Sequence, residues 1–294
     1  MIRVGPAGWS YRDWAGLVYP DPKPRGFDPL AYLAEYFDTI EINSTFYGPA
    51  TKTAAVAWAK RVEPFPDFRF TAKLSRRFTH ERSEAFTRAE VREVCQGMDP
   101  LHSKKRLGAL LLQFPWSFRR TDDNREWLDD VTRAFRKYPL VLEVRHASWN
   151  VPEFYEELVE RGIGFVNIDQ PLFSNSIRPS ARATAPVGYL RVHGRNYRDW
   201  FRKGAGVYAR YDYLYSADEL KPWVKRTREV AKATRETYVI TNNHARGQAV
   251  VNALMIEAML TRRKVAAPEG LLDEFEEELA GTARARSAGS AARR

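Results

Sequence analysis

Eight apolar, strand-like runs recur along this chain; six of them carry charged or amide side chains towards their ends, and two more fit the same scheme. They are residues 2–8, 39–45, 69–75, 107–115, 140–146, 164–169, 188–194 and 238–244. Helical patterns separate most of these runs, which predicts parallel strands joined by right-handed crossovers. Strands with an apolar start and a polar carboxyl end are typical of a (β/α)8 barrel of the TIM type, whose active site gathers at the C-terminal strand ends. The pattern predicts where chemistry would take place better than which chemistry it is.

The length of 294 residues fits one such barrel, which takes about 250 residues, with a short extension. We assign residues 1–265 to the barrel. Residues 266–281 contain six acidic residues and no Lys or Arg, and they are predicted to form a short acidic helix. Residues 282–294 are rich in Ala and Arg, and this composition predicts a disordered basic tail.

Seven helical patterns and two long connections fill the spaces between the strands. The helices are predicted at residues 27–37, 51–62, 83–98, 122–138, 152–161, 217–233 and 245–263. Residues 170–187 show no helical period and are predicted to be a loop with at most one short turn, and residues 195–216 are predicted to be a second long insertion. The second loop follows the seventh strand on the face where substrate would bind, and long loops of this kind are usually functional.

Composition narrows the class of protein. The single cysteine, Cys95, excludes an intramolecular disulfide framework and a zinc site of several thiolates. No run of about 18 apolar residues occurs, and the first residues lack the pattern of a signal peptide, so we expect a cytoplasmic protein without a membrane span. The net charge of +10 favours an anionic ligand or a nucleic acid, although a solvated basic surface explains it equally well.

The strand period of two places several charged and amide side chains inside the barrel. On the second strand these are Glu41 and Asn43, and on the third strand it is Lys73. The later strands contribute Glu143 with Arg145, Asn167 with Asp169, and Arg191 with His193. Charges inside a small barrel must be paired or used. Mutual neutralisation is one explanation for the deeper members Glu41, Glu143 and Arg191, and a functional role is the other. The members nearest the strand ends are favoured as functional residues.

Lys73 has two interpretations. A lysine late on a barrel strand can form a Schiff base, and cationic neighbours would lower its pKa. A salt bridge to Glu41 on the adjacent strand is the simpler interpretation, and we prefer it.

Two aromatic groups lie where a ligand would bind. Trp9 and Trp14 follow the first strand, where they would stack on a sugar or a base, or cover the core as a lid. The tyrosines of residues 208–215 would stack on a nucleic acid strand or pack back onto the barrel rim.

Four histidines leave a divalent metal as an open alternative. They all lie at or just past predicted strand ends, and they are His80, His146, His193 and His244. Barrel metal sites scatter their ligands along the sequence, so the absence of a compact motif decides little. The lysine and arginines predicted inside the barrel suit an anion better than a cation.

The chain resembles the YecE-like family, also known as domain of unknown function 72. The resemblance extends over residues 1–263 and rests on motifs that follow one another in order. They include Gly8-Trp9-Ser10-Tyr11, Glu41-Ile42-Asn43-Ser44-Thr45-Phe46-Tyr47, Glu143-Val144-Arg145-His146, Arg191-Val192-His193-Gly194-Arg195 and Asn242-Asn243-His244. The resemblance implies a (β/α)8 barrel and brings no established activity.

We therefore expect an enzyme, in the range of hydrolase, lyase or isomerase, that acts on an anionic, phosphorylated or sugar-like substrate. The candidate catalytic residues are Glu143, Asp169, His193 and Lys73. The candidate substrate-binding residues are Trp9, Trp14, Glu41, Asn43, Tyr47, His80, Gln113, Arg145, His146, Asn167, Arg191, Arg195, Asn242, Asn243 and His244. The alternatives are a nucleic-acid-binding or nucleic-acid-processing protein and a non-catalytic ligand-binding barrel. The sequence leaves cofactor and oligomeric state open.

Overall fold

Eight strands form the centre of the molecule in a computed structural model that describes residues 1–202, 204 and 207–286. They are β1 (Ile2–Pro6), β2 (Thr39–Ile42), β3 (Arg69–Lys73), β4 (Leu107–Gln113), β5 (Leu140–Glu143), β6 (Gly164–Asp169), β7 (Val187–Val192) and β8 (Glu236–Thr241). Each strand overlaps one of the predicted runs. The strands are generally shorter than those runs, because the polar residues at the carboxyl ends leave the sheet and enter the following loops.

The strands close into a barrel. Strands β8 to β2 pair in chain order, β1 pairs with β8, and the strand pairings are parallel. A parallel bridge between Ala7 and Glu41, with Gly8 N–H donating to Glu41 O at 2.8 Å, joins β1 to β2. Gly5 makes this close approach possible, because a Cβ atom there would lie 1.9 Å from Thr39 O. The chain is therefore a single (β/α)8 barrel.

Helices surround the barrel. They are α1 (Pro29–Leu33), α2 (Lys52–Arg61), α3 (Arg76–Thr79), α4 (Arg88–Ser103), α5 (Asp122–Phe135), α6 (Pro152–Arg161), α7 (Val207–Arg210), α8 (Ala217–Lys232) and α9 (Gln248–Thr261). Helix α4 begins at Arg88 instead of the predicted residue 83, because Thr87 and Glu90 form a capping box there. Helix α6 ends at Gly162, which adopts the left-handed conformation with φ of 64°.

The two predicted loops differ in content. Residues 170–187 contain no helix, as expected. The loop after β7 contains the short helix α7 and returns two aromatic side chains, Trp200 and Tyr211, towards the strand ends.

The C-terminal segment is more ordered than the sequence analysis predicted. A strand β9 (Val265–Ala267) precedes two short helices, α10 (Glu269–Glu274) and α11 (Glu276–Leu279), where one helix was expected. A strand β10 (Ala283–Ala285) then pairs in parallel with β9, so the prediction of disorder is wrong for these residues. The buried side chains of Val265, Leu279 and Ala283 explain the order. Residues 287–294 of the predicted tail lie outside the described residues.

The apolar core lies mainly between the strands and the surrounding helices. Ile40, Ile42, Phe70 and Leu142 are fully buried there. None of the helices in the described part of the chain has both the length and the apolar character needed to cross a membrane.

Candidate active site

A chain of alternating charges occupies the C-terminal part of the barrel interior. Arg191 on β7 donates from Nη2 to Oε1 of Glu41 at 2.7 Å and from Nη1 to Oε2 of Glu143 at 2.6 Å. Arg145, just past β5, donates from Nε and Nη2 to the other oxygen of Glu143, at 2.9 and 2.7 Å. Glu41, Glu143 and Arg191 are fully buried, whereas 11% of the Arg145 side chain is exposed. Only Arg145 in this chain of charges therefore offers surface to a ligand.

Tyr189 on β7 contacts Glu41, which lies at one end of this chain of alternating charges. Its hydroxyl lies 2.8 Å from Oε2 of Glu41 and 2.7 Å from Oγ1 of Thr71. The hydroxyl has one proton, so it donates to the carboxylate and accepts from the threonine. Burial, together with the Glu41 charge, raises the pKa of Tyr189 well above its ordinary value. This tyrosine therefore remains a neutral donor that fixes the Glu41 carboxylate.

His193 is a neutral member of the cluster. Its Nε2 lies 3.2 Å from Oε1 of Glu143, and its Nδ1 lies 3.1 Å from Nδ2 of Asn242. With Asn242 donating to Nδ1, the ring proton is assigned to Nε2, where it faces the carboxylate. Burial lowers the pKa of His193 to about 3; Glu143 opposes this shift, while Arg145 and Arg191 reinforce it. The ring is therefore a neutral imidazole near neutral pH and cannot act as an imidazolium acid.

Glu143 is held as a carboxylate. Burial would raise its pKa, but Arg191, Arg145 and His193 together hold the pKa well below its ordinary value. Its Oε1 accepts from Arg145 and faces His193, and its Oε2 accepts from Arg191. The geometry therefore favours an electrostatic role for Glu143 over proton transfer.

Lys73 differs from its charged neighbours because no carboxylate pairs with it in the described part of the chain. Its Nζ lies 4.1 Å from the ring centre of Phe46, and the side chain is half-buried. The preferred salt bridge to Glu41 is wrong, because Arg191 and Tyr189 occupy the two oxygens of that carboxylate. Burial and the Arg191 charge lower the pKa of Lys73 to about 7, although Glu41 and Glu143 oppose the shift. We call the barrel interior at the C-terminal strand ends, which holds Glu41, Glu143, Arg145, Arg191 and Lys73, the cup. Lys73 is thus a group in the cup that exchanges a proton near neutral pH.

The register of β6 places two predicted interior residues on the outer face of the barrel. Ile168 pairs with Arg191, and side chains of paired residues point to the same side of a sheet. Asn167 and Asp169 therefore point outward, and the predicted inward orientation is wrong. The alternation on β6 shows that Asn167 and Asp169 share a face, but it does not show whether that face is the interior of the barrel. Here the polar face bonds to the loops that follow β6 and β7.

Asn167 instead ties down the loop of residues 170–187. Its Nδ2 donates to Arg182 O at 2.9 Å, and its Oδ1 accepts from Arg182 N–H at 2.8 Å and from Ser180 Oγ at 2.7 Å. Nδ2 also donates to Tyr189 O at 3.3 Å, so the amide has no donor or acceptor left for a substrate, and the predicted substrate-binding role does not fit its position.

Asp169, Arg195 and Asn243 also form contacts outside the cup. Asp169 accepts from Nε of Arg195 at 2.9 Å, and Arg195 Nη1 lies 3.3 Å from Glu219. Asn243 donates to Oδ1 of Asn252 on α9 at 2.7 Å. The two carboxylates neutralise Arg195, which was predicted to bind an anion.

The two predicted tryptophans occupy different environments. Trp14 is fully buried and donates from Nε1 to His244 O at 2.8 Å, so it belongs to the core and is excluded from substrate contact. Trp9 is partly buried and packs edge-on against Trp58, with ring centres 5.8 Å apart. The ring of His244 stacks on Tyr11, with centres 4.6 Å apart and an interplanar angle of 12°. This stack forms part of the cup wall.

Other candidates lie around the mouth of the cup. Tyr47 is 67% exposed in the loop after β2, and the neighbouring Phe46 packs edge-on against His80 at 4.9 Å. Burial, together with Lys73 and nearby arginines, lowers the pKa of His80 to about 4. Asn43 precedes the short 3-10 helix Ser44–Phe46 at the end of β2.

Gln113 and His146 lie on the β4 and β5 side. Gln113 is buried and donates to Phe114 O at 2.9 Å. His146 accepts at Nδ1 from Ser148 N–H at 3.1 Å, which assigns its proton to Nε2. Both side chains are therefore anchored locally.

Sequence reasoning missed four residues of the site. Tyr189 shares the inward parity of Arg191, and this signal was available. Phe46 belongs to the motif of residues 41–47, which assigns it no role, and Tyr211 belongs to the aromatic stretch of residues 208–215. Trp200, which lies 5.7 Å from the Arg145 guanidinium and 6.4 Å from the His193 ring, gave no sequence signal. Its position over the cup depends on how the β7 loop folds back.

Within residues 1–202, 204 and 207–286, no three His, Cys, Asp or Glu side chains are grouped so that they could hold a metal ion. Of the histidines that suggested a metal, His244 stacks on Tyr11 and His80 packs against Phe46, whereas His193 lies inside the barrel beside Glu143. The charged groups of the cup are the side chains of Arg145, Arg191, Lys73, Glu41 and Glu143.

Comparison with known proteins agrees with this architecture. The family model described as "Protein of unknown function DUF72" matches residues 3–273. The UPF0759 protein YunF of Bacillus subtilis (strain 168) is 29% identical over 274 residues, which cover 88% of this chain and 95% of that protein. A DUF72 family protein from Thermotoga maritima MSB8 is 34% identical, with a TM-score of 0.77 over 89% of this chain and 99% of its own. One from Enterococcus faecalis V583 is 26% identical, with a TM-score of 0.76 over 89% and 96%. This chain belongs to the DUF72 family.

Proposed function

We propose that this protein is an enzyme that binds a small anionic substrate, phosphorylated or sugar-like, in the cup at the C-terminal strand ends. The observation that carries the proposal is the unequal pairing of charges in the cup. Glu41 and Glu143 are matched by Arg191 and Arg145, which leaves Lys73 as an additional cation without a carboxylate partner among the described residues.

Arg145 and Lys73 are the groups that would contact the anion. The Arg145 side chain is partly exposed and uses Nε and Nη2 for Glu143, so Nη1 is available for a substrate oxygen. Guanidinium groups form strong charge-assisted hydrogen bonds to phosphate and carboxylate. Arg191 is buried between two carboxylates and would position Glu41 and Glu143 instead of touching substrate.

Proton transfer is assigned to Lys73. Of the four predicted catalytic residues, Asp169 points outward, Glu143 is held ionised, and His193 is held neutral. A group with a pKa near the working pH is the most effective general acid or base, and the pKa of Lys73 is about 7. The reaction would be a hydrolysis, elimination or isomerisation in which Lys73 takes up or releases a proton.

Calorimetric titration with inorganic phosphate and with a panel of sugar phosphates tests this proposal. We expect binding to the wild type and a loss of at least about tenfold in affinity for Arg145→Gln, the size expected for one charge-assisted contact. Arg133→Gln is the matched control, because Arg133 is exposed on α5. Equal affinity of Arg145→Gln and the wild type, or no binding of any anion, would contradict the proposal.

A nucleic-acid ligand is the second candidate, favoured by the net charge of +10 and by exposed aromatic side chains near the mouth. These are Tyr47 after β2 and Tyr197, Phe201 and Tyr208 after β7. The predicted tyrosine stretch gives weaker support, because Tyr215 is fully buried and accepts from Gly194 N–H. Phosphate-driven binding of single-stranded DNA should weaken steeply between 50 and 200 mM salt. A flat salt dependence or no binding at 50 mM salt would exclude this candidate.

A further inference from the structure

We propose that Lys73 forms a covalent imine with an aldehyde or ketone group of the anionic substrate. This inference rests on the proposed function and names the substrate class of the same site: a carbonyl compound that also carries a phosphate or carboxylate group. It assigns a bond-forming role to the one cation of the cup that is not held by a carboxylate among the described residues.

The position of Lys73 favours a reaction at its nitrogen. The residue ends β3 and pairs with Leu111 of β4. Two residues further along β4, Gln113 pairs with Glu143 of β5, so Lys73 and Glu143 lie on the same, inner face of the sheet. Its side chain is half-buried, and the Phe46 ring packs against its Nζ at 4.1 Å. An aromatic face holds the amine in place without accepting its proton, so the nitrogen keeps its hydrogen-bonding and bonding capacity for a ligand.

The neighbouring charges favour a neutral amine. Burial and Arg191 lower the pKa of Lys73 to about 7, so a large share of the side chain carries a free lone pair at neutral pH. The carboxylates Glu41 and Glu143 act in the opposite direction and would stabilise a cation at the same nitrogen. The site therefore tolerates both the neutral nucleophile and a positive product.

The step balances without a redox partner. The Nζ lone pair attacks the carbonyl carbon, and the C=O π electrons move to oxygen, which takes up a proton while nitrogen releases one. The resulting carbinolamine is protonated on its hydroxyl group and loses water, which leaves a protonated C=N bond to Lys73. One free amine, one carbonyl group and one proton thus give one iminium ion and one water molecule.

Arg145 explains why the carbonyl compound would be anionic. Its partly exposed guanidinium is close enough to Lys73 to help lower the pKa of that amine, so the two cations act on the same space. A substrate that places an anionic group at Arg145 and a carbonyl group at Lys73 would satisfy both. A neutral carbonyl compound would use only one of the two contacts.

The test is borohydride trapping with glycolaldehyde phosphate, followed by intact-mass measurement and peptide mapping. At pH 7 we expect one adduct on Lys73, at least tenfold more abundant than the adduct on any other lysine, and a weaker adduct with neutral glycolaldehyde. Lys60→Arg, an exposed substitution on α2, should keep the adduct, whereas Lys73→Arg and Lys73→Met should lose it. Labelling spread evenly over surface lysines, or unchanged in both Lys73 variants, would overturn the proposal.

Phosphate calorimetry on the same samples separates the two proposals. If the wild type binds phosphate through Arg145 but forms no adduct at Lys73, the imine is wrong and the anion-binding function stands. If the wild type binds neither phosphate nor sugar phosphates, the proposed function itself fails. Binding together with a Lys73-specific adduct, half-maximal near pH 7, supports both.

Discussion

Arg191 and Glu41 lie 150 positions apart in the chain, yet Nη2 of the arginine donates to Oε1 of the glutamate at 2.7 Å across the barrel. The second amino group of the same guanidinium reaches Glu143. One side chain therefore joins strands β7, β2 and β5 at the base of the cup. The two partly exposed cations of the cup lie next to these buried side chains: Arg145 binds Glu143, and the Arg191 charge acts on Lys73.

Replacing Arg191 with methionine should strongly destabilise the protein. The substitution leaves Glu41 and Glu143 with less compensation for their buried charge, and breaking a buried ion pair costs about 3–5 kcal/mol. Urea unfolding at pH 7 measures the free energy of unfolding. Glu41→Gln combined with Arg191→Met should recover part of the loss, because it removes one of the unpaired charges. A loss below about 1 kcal/mol in the single variant would show that water relieves the buried carboxylates.

Lys73→Met should gain stability relative to the wild type as pH falls from about 10.5 to about 7. The pKa of Lys73 is about 7 in the folded protein and about 10.5 in an unfolded chain, so the unfolded state binds more protons in this window. The wild type therefore loses stability as pH falls, and the variant escapes this loss by an amount on the order of 1 kcal/mol or more. Urea unfolding at pH 7 and pH 10 measures the difference, with Lys60→Met as control. A pH-independent difference would mean that Lys73 titrates normally.

His193→Gln should reduce the sensitivity of the protein to acid. The folded pKa of His193 is about 3 and an unfolded histidine has a pKa of about 6.5, so its contribution is complete above 6.5 and is lost as pH falls towards 3. At pH 4.5 the wild type should have lost about 2 kcal/mol through this residue relative to pH 7. The slope of unfolding free energy against pH, compared between the two proteins, gives the result. Parallel slopes would indicate that the imidazole is protonated within the cluster.

Asn167→Ala should loosen the loop of residues 170–187 without changing ligand affinity in the cup. The substitution removes two bonds to Arg182, one to Ser180 and one to Tyr189 O, and a net hydrogen bond contributes about 1 kcal/mol. Faster hydrogen exchange at the Arg182 amide and faster proteolysis of the loop are the expected results. Calorimetry with phosphate is the parallel measurement. A large loss of phosphate affinity would contradict the outward orientation of the Asn167 side chain on β6.

The amino-acid sequence determined the strands, most of the helices and the face on which the site lies. These features depend on local patterns: apolar runs with polar ends, helical spacing, and capping residues such as Thr51 and Gly162. The inward orientation of Glu41, Lys73, Glu143 and Arg191 also followed, since polar residues alternate with apolar ones on those strands.

Only the tertiary structure decided which charges pair and which side chains a ligand can reach. Lys73 and Arg191 are both cations near Glu41 in the strand pattern, and the greater reach and two amino groups of the arginine let it occupy both glutamates. The outward face of β6, the burial of Trp14 and the position of Trp200 over Arg145 depend on packing between segments far apart in the chain. Local sequence patterns set the direction of a side chain along its own element, whereas its partner is selected by the elements that pack against it.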